Sequence, residues 1–167
     1  MATATLMFHP ESAQFLGSTF PQLDKINGTN IPVPQLKYDA AADEAAFWRF
    51  IATGYSSGNL TLTIFWYADT ATSGDIVWGG AIAAITANTD TQDVETDALA
   101  TENTVTDTHL GTTGQRLHSC DITISNLDSL ASGDDVVLRI RRVGSSGSDT
   151  MTGDAAFVLA TLTYTTA

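Results

Sequence analysis

An antiparallel β-sandwich of jelly-roll type is the fold class this sequence predicts: all-β, with about eight strands and a loop-rich N-terminal arm. Three observations predict it. Apolar residues alternate with Thr, Ser or charged residues along most apolar stretches, the period of a half-buried strand. Clusters of Gly, Asp and Ser, such as GYSSG at 54–58 and NLDSLASGD at 126–134, cut those stretches to strand length. No long amphipathic helical pattern interrupts them. About eight strands in one domain favour a jelly roll over a seven-stranded immunoglobulin-like sandwich.

The segment 59–86 organises the rest. Leu62, Ile64 and Trp66 alternate with Thr61 and Thr63, ADTATSGD supplies a turn over 68–75, and Ile76, Val77 and Trp78 resume the chain, which reads as a β-hairpin. Trp66 and Trp78 flank its turn and are placed to pin two sheets together. Before it, Leu6 and Phe8 share a register in a first strand, or in an arm that lies on a neighbour. Residues 10–34 hold four prolines, Asn27-Gly28 and isolated Phe15, Phe20, Leu23 and Ile26. They read as a leader without regular structure, packed on a sandwich edge or reaching a partner. The domain division is therefore an arm over 1–34 and a sandwich over 35–167.

Gln35–Asp39 is a short strand, and Ala45–Thr53 is a longer one. Phe47, Arg49 and Ile51 lie on one face and Trp48, Phe50 and Ala52 on the other, so bulk on both faces predicts a central strand or a subunit contact. From 87 to 107 the chain is acidic and Thr-rich with no basic residue, an exposed loop with a short helix near Asp97–Glu102 and a strand around Val105. His118, Cys120, Ile122 and Ile124 point inward from the next strand. Val136, Leu138 and Ile140 do so from the following one, with Arg139 and Arg141 outward, and Ala155–Thr165 closes the sandwich.

At 167 residues the chain suffices for one domain that buries about two-thirds of its unfolded surface. A net charge of −12 with seven basic residues excludes a nucleic-acid or anionic-membrane partner, because phosphate contacts need Lys and Arg. No apolar run approaches a membrane span or a secretory signal, so the expectation is a soluble protein made without an export signal. The single cysteine, Cys120, reads as a small buried hydrophobe and excludes an intrachain disulfide.

Catalytic motifs are absent. His9, His109 and His118 have no zinc-site spacing, no nucleophile elbow or phosphate loop occurs, and the Ser, His and Asp residues form no ordered triad. No cofactor is expected. Asp134 with Asp135, and Asp149 with Asp154, lack the spacing of a calcium loop and read as turn caps. Arg139, Arg141 and Arg142 form the one basic spot, which either pairs with carboxylates across strands or subunits or docks on an acidic partner.

Two segments, WYADTATSGDIVW at 66–78 and DTMTGDA at 149–155, stand within a longer pattern from Phe47 to Tyr164. That pattern resembles a family of small β-structured virion proteins of tailed bacteriophages, among head-decoration and fibre components. The resemblance implies a homotrimeric jelly-roll subunit on the outer capsid surface, made in the host cytoplasm, that clamps the major capsid protein and stabilises the shell. It brings no catalytic residue. The absence of a coiled-coil or repeat shaft favours decoration over fibre. Its interface candidates are Leu6, Phe8, Phe15, Phe20, Trp48, Phe50, Arg139, Arg141 and Arg142. The alternative is a fibre, receptor-binding or carbohydrate-binding β-sandwich module, which would present Tyr55, Tyr67 and Trp48 on an exposed face.

Overall fold

A computed structural model describes residues 2–167. Ten strands appear in chain order: β1 (Ala2–Phe8), β2 (Gln22–Asn27), β3 (Pro32–Tyr38), β4 (Asp43–Ile51), β5 (Tyr55–Ala68), β6 (Asp75–Ile85), β7 (Asn103–Thr108), β8 (His118–Ile124), β9 (Asp135–Val143) and β10 (Ala155–Thr166). They form two antiparallel sheets. One has six strands in the order β2-β3-β10-β5-β8, with β1 also on β10; the other has the order β4-β9-β6-β7. The all-β sandwich expected from alternation is therefore present, with ten strands where about eight are counted from sequence.

The leader supplies one strand not read from sequence, β2, and extends the predicted Gln35–Asp39 strand back to Pro32 as β3. Residues 22–27 and 32–38 pair as a hairpin from Gln22↔Lys37 to Asn27↔Pro32, turning at Asn27-Gly28. The predicted division at 34/35 falls inside β3. Pro32 and Pro34 are tolerated because β10 pairs with β3 only over Leu36–Tyr38, so one side of residues 32–35 has no ladder for a missing N–H to break. Residues 14–19 do pack on a sandwich edge: Gln14 and Phe47 exchange backbone hydrogen bonds at 2.8 and 2.9 Å, and Ala45 N–H reaches Thr19 O at 3.4 Å.

Two further readings are corrected. Strands β5 and β6 are not a hairpin, since β5 pairs with β10 and β8 while β6 pairs with β7 and β9. The 69–74 turn carries the chain from one sheet to the other, and alternation, which reports one buried face, is the same for either arrangement. Strand β4 is an edge strand, not a central one. Its outward Phe47 is half-buried beside the leader, whose Gln14 bridges to it.

The tryptophans hold the sheets together as expected. Trp66 on one sheet and Trp78 on the other are fully buried, 6.5 Å apart between ring centroids. Tyr38 meets Trp78 edge-on at 5.0 Å and donates its hydroxyl to Ile140 O at 3.1 Å. Phe157 and Trp48 extend the core at 5.3 Å, and Phe8 joins it from β1. Cys120 lies half-buried against this core, and burial pushes its thiol far up, as a packing residue requires.

Trp66 also stacks on His118 at 4.5 Å and 19°, and donates its indole N–H to Asp107 at 2.8 Å. His118 Nε2 accepts Leu110 N–H at 3.0 Å, which leaves the proton on Nδ1, a buried atom without a partner. Burial, with a smaller contribution from His109, lowers the His118 pKa below its usual 6.5. The unfolded chain then binds a proton near pH 6.5 that the folded chain refuses until lower pH, so stability falls as pH drops from 6.5 towards the depressed value. Urea midpoints across that window should decline, and His118→Gln should flatten the decline. An unchanged slope in the variant would remove His118 as its source.

Candidate binding grooves

Each sheet carries a groove on its outer face. On the four-stranded sheet, the small residues of β6 prepare it. Ile76, Trp78, Ile82 and Ala84 face the core, whereas Gly79, Ala81 and Ala83 face out and leave room for the acidic segment 87–102 to lie on the sheet. Ala100 N–H bonds Ile82 O at 2.8 Å, and Glu102 closes the segment down. Its carboxylate accepts from Arg139 Nη2 at 2.9 Å and from Arg141 Nη2 and Nε at 2.7 and 2.8 Å. Arg141 also reaches Asp43 at 3.3 Å, and the Glu102 hydrogen bonds raise its pKa, keeping it charged.

A methyl group at Gly79 would stand 2.5 Å from Glu102 Cδ. Gly79→Ala should therefore expel Glu102, break both arginine pairs and cost about 1–3 kcal/mol. Hydrogen exchange at Ala100 should quicken in this variant; unchanged protection there would show that Glu102 does not hold the segment.

Between the leader and that segment opens a groove of about 440 Å³. Phe15, Leu16, Phe47 and Val137 supply apolar walls, and Gln14, Glu95, Asp97 and Arg139 supply polar ones. Two of these polar groups are incompletely satisfied. Asp97 Oδ2 and Arg139 Nε are buried and have no hydrogen-bond partner.

The second groove, of about 580 Å³, lies on the six-stranded sheet between the β2–β3 turn and the loop before β8. Ile26, Ile31, Val33, Tyr67, Leu117 and Val158 make it nearly apolar. Its polar neighbours are occupied: Tyr67 donates to Gln35, and Lys37 pairs with Asp69 at 2.8 Å and Asp154 at 3.4 Å. Burial raises the Tyr67 hydroxyl pKa.

The residues singled out from sequence are distributed unevenly over these surfaces. Arg139 lines the first groove, and Arg139 and Arg141 follow the pairing reading. Arg142 is a correction, because it points into the core, fully buried, and cannot touch a partner. It forks onto Asp149 at 2.7 and 3.0 Å and donates to Met151 O and Gly153 O. Phe8 and Trp48 are core residues, and Leu6 and Phe50 pack half-buried against them. Phe15 and Phe20 remain partly exposed, stacked on each other at 5.1 Å.

The sugar-facing aromatics also need correction. Trp48 and Tyr55 are buried, with Tyr55 donating to Gly58 O, and only Tyr67 borders a groove. Asp134 does cap a turn, accepting Ala131 N–H at 2.6 Å, and Asp135 binds Arg49. Among the described residues no group of three His, Cys, Asp or Glu side chains is placed to hold a metal, and no helix is long and apolar enough to cross a membrane.

Sequence reasoning missed Glu95, Asp97 and Phe47 as groove residues, reading the acidic segment as solvated. The signal was Gly79, Ala81 and Ala83 on alternate positions of one strand face, whose missing side-chain volume implies something lying on the sheet.

No family model matches the chain, and no curated protein matches it in sequence. Solved structures match it in shape. CBM35 from Cellvibrio japonicus Abf62 has a TM-score of 0.48 at 15% identity, over 95% of this chain and 92% of that one. A family 35 carbohydrate-binding module from an environmental isolate has a TM-score of 0.49 at 10% identity, over 97% and 98%. TmCBM27, a carbohydrate-binding module described for specific mannan recognition, has a TM-score of 0.51 at 8% identity, over 99% and 100%. At such identity the likeness to TmCBM27 is one of fold, and the described residues form a jelly-roll β-sandwich.

Proposed function

We propose that this chain is a non-catalytic carbohydrate-binding β-sandwich module that takes glycan in the groove over the four-stranded sheet. One observation carries the reading: the groove sets apolar and aromatic walls, Phe47 and Val137 among them, beside the polar side chains of Gln14, Glu95, Asp97 and Arg139. Sugars present C–H faces and hydroxyl edges together, and a site of this mixed composition answers both. The fold shared with the mannan-recognising module supports the reading by analogy only, since a fold hosts many functions.

A glycan array with the purified chain tests it. Saturable retention of at least one polysaccharide, weakened by Phe47→Ala, is the expected result. Absence of retention across the array would overturn it.

The virion resemblance supplies a second reading, a homotrimeric subunit that binds a capsid's outer surface. The observation favouring it is the exposed apolar surface of Phe15, Leu16 and Phe20 along the β4 edge, which a neighbouring chain would cover. Light scattering that gives a trimer, with saturable co-sedimentation on shells lacking the protein, would select this reading.

A further inference from the structure

The inference concerns which glycans the groove accepts, and it rests on the carbohydrate reading. Asp97 uses Oδ1 to accept Ala98 N–H at 3.0 Å, while Oδ2 is buried with no donor. Arg139 commits Nη2 to Glu102 at 2.9 Å, while Nε is buried with no acceptor. The protein thus leaves one acceptor and one donor unmet on two residues that line the same groove. Unmet buried polar groups are rare in folded proteins and are a cost that a ligand can relieve. A hydroxyl is both donor and acceptor, so a polyol can supply what each atom lacks.

Charge narrows the class. Glu95 and Asp97 bring two negative charges to the groove, and the positive charge of Arg139 is already answered by Glu102. The nearby cations are also committed, Arg141 to Glu102 and Asp43, and Arg49 to Asp135. Among the described residues no free cation on this face is left to receive a carboxylate or sulfate, and the whole chain carries −12. A uronic acid entering here would meet like charge in a partly desolvated site.

We propose that the groove selects neutral glycans, meeting sugar hydroxyls with the Asp97 and Arg139 side chains that line it, and rejects glycans that carry uronic acid or sulfate.

Affinity electrophoresis at low ionic strength tests this with mannan and mixed-linkage β-glucan as neutral probes and polygalacturonate and alginate as anionic ones. The wild-type chain should be retarded by a neutral probe and pass the anionic ones. Asp97→Asn keeps the acceptor for Ala98 but turns the other atom into a donor, and should weaken neutral binding at least about tenfold. Arg139→Lys keeps the charge and a partner for Glu102 but has no Nε, and should weaken it comparably. Leu117→Ala, in the other groove, should leave binding unchanged.

Retardation by polygalacturonate as strong as by mannan would overturn the inference and leave the carbohydrate reading standing. So would full neutral binding in both variants, each confirmed folded by its melting curve. Passage of every probe would overturn both.

Discussion

Arg142→Ala should lower the stability of this domain by about 3–5 kcal/mol, the range for removing one partner of a buried ion pair. The reason is what remains behind. Asp149, itself buried, would keep only Val77 N–H at 3.1 Å, and the carbonyls of Met151 and Gly153 would lose their donor. Those atoms belong to the connection between β9 and β10, which Arg142 folds back onto the sandwich. For a domain of 150–250 residues the loss corresponds to a melting temperature lower by about 6–20 °C. Arg142→Lys should recover only part of it, since an ammonium cannot fork onto a carboxylate and reach two carbonyls. Combining Arg142→Met with Asp149→Leu should cost less than the sum of the single changes, because neither charge is then left alone. Thermal unfolding of the wild type, the four single variants and the double variant checks this, and a fall under about 1 kcal/mol for Arg142→Ala would show that the fork is not holding the connection.

Trp66→Ala should cost a similar amount, about 3–5 kcal/mol, through a different mechanism. The ring is fully buried between Trp78 and His118, and its loss opens a cavity between the two sheets that rigid strands cannot close. Asp107 on β7 would also lose its indole donor. Trp66→Phe fills most of the space without that donor and should cost less than half as much. Urea unfolding should give a lower midpoint at an unchanged slope. A midpoint within experimental error of the wild type would mean that the sheets are held elsewhere.

These two residues mark how far the sequence could be read. The alternation in β5, β8, β9 and β10 specified strands and their buried faces, because each has one face on the core and a side-chain period of two. It could not specify partners. The apparent hairpin 59–86 contains a turn, as read, but the turn crosses between sheets, and nothing in local periodicity distinguishes the two cases. Arg142 follows Arg141 in sequence and looks like part of a basic surface spot. Its burial depends on Asp149, seven residues away across a loop, and on two carbonyls whose position only the fold determines. The hairpin of β2 and β3 was hidden by its prolines, which are admissible at that edge. The groove on the four-stranded sheet was hidden for a comparable reason: its acidic residues sit in a segment too polar to predict as packed, and Gly79, beneath Glu102, makes room for that segment by lacking a side chain.

The pairing of β10 has a consequence for how the chain reaches this structure. It is the last strand in sequence, yet β1, β3 and β5 all bond to it, β1 and β3 end to end along one side and β5 along the other. The N-terminal strand has no other partner, so its ladder joins residues more than 150 positions apart, from Ala2↔Thr166 to Phe8↔Ala160. Closing such loops costs entropy before any contact repays it, which makes assembly slow. Until β10 arrives, β1 has no ladder and β5 has one open edge; such unpaired edges invite pairing between chains. The four-stranded sheet draws on β4, β6, β7 and β9 alone and can form earlier, so the sandwich is closed by its final strand.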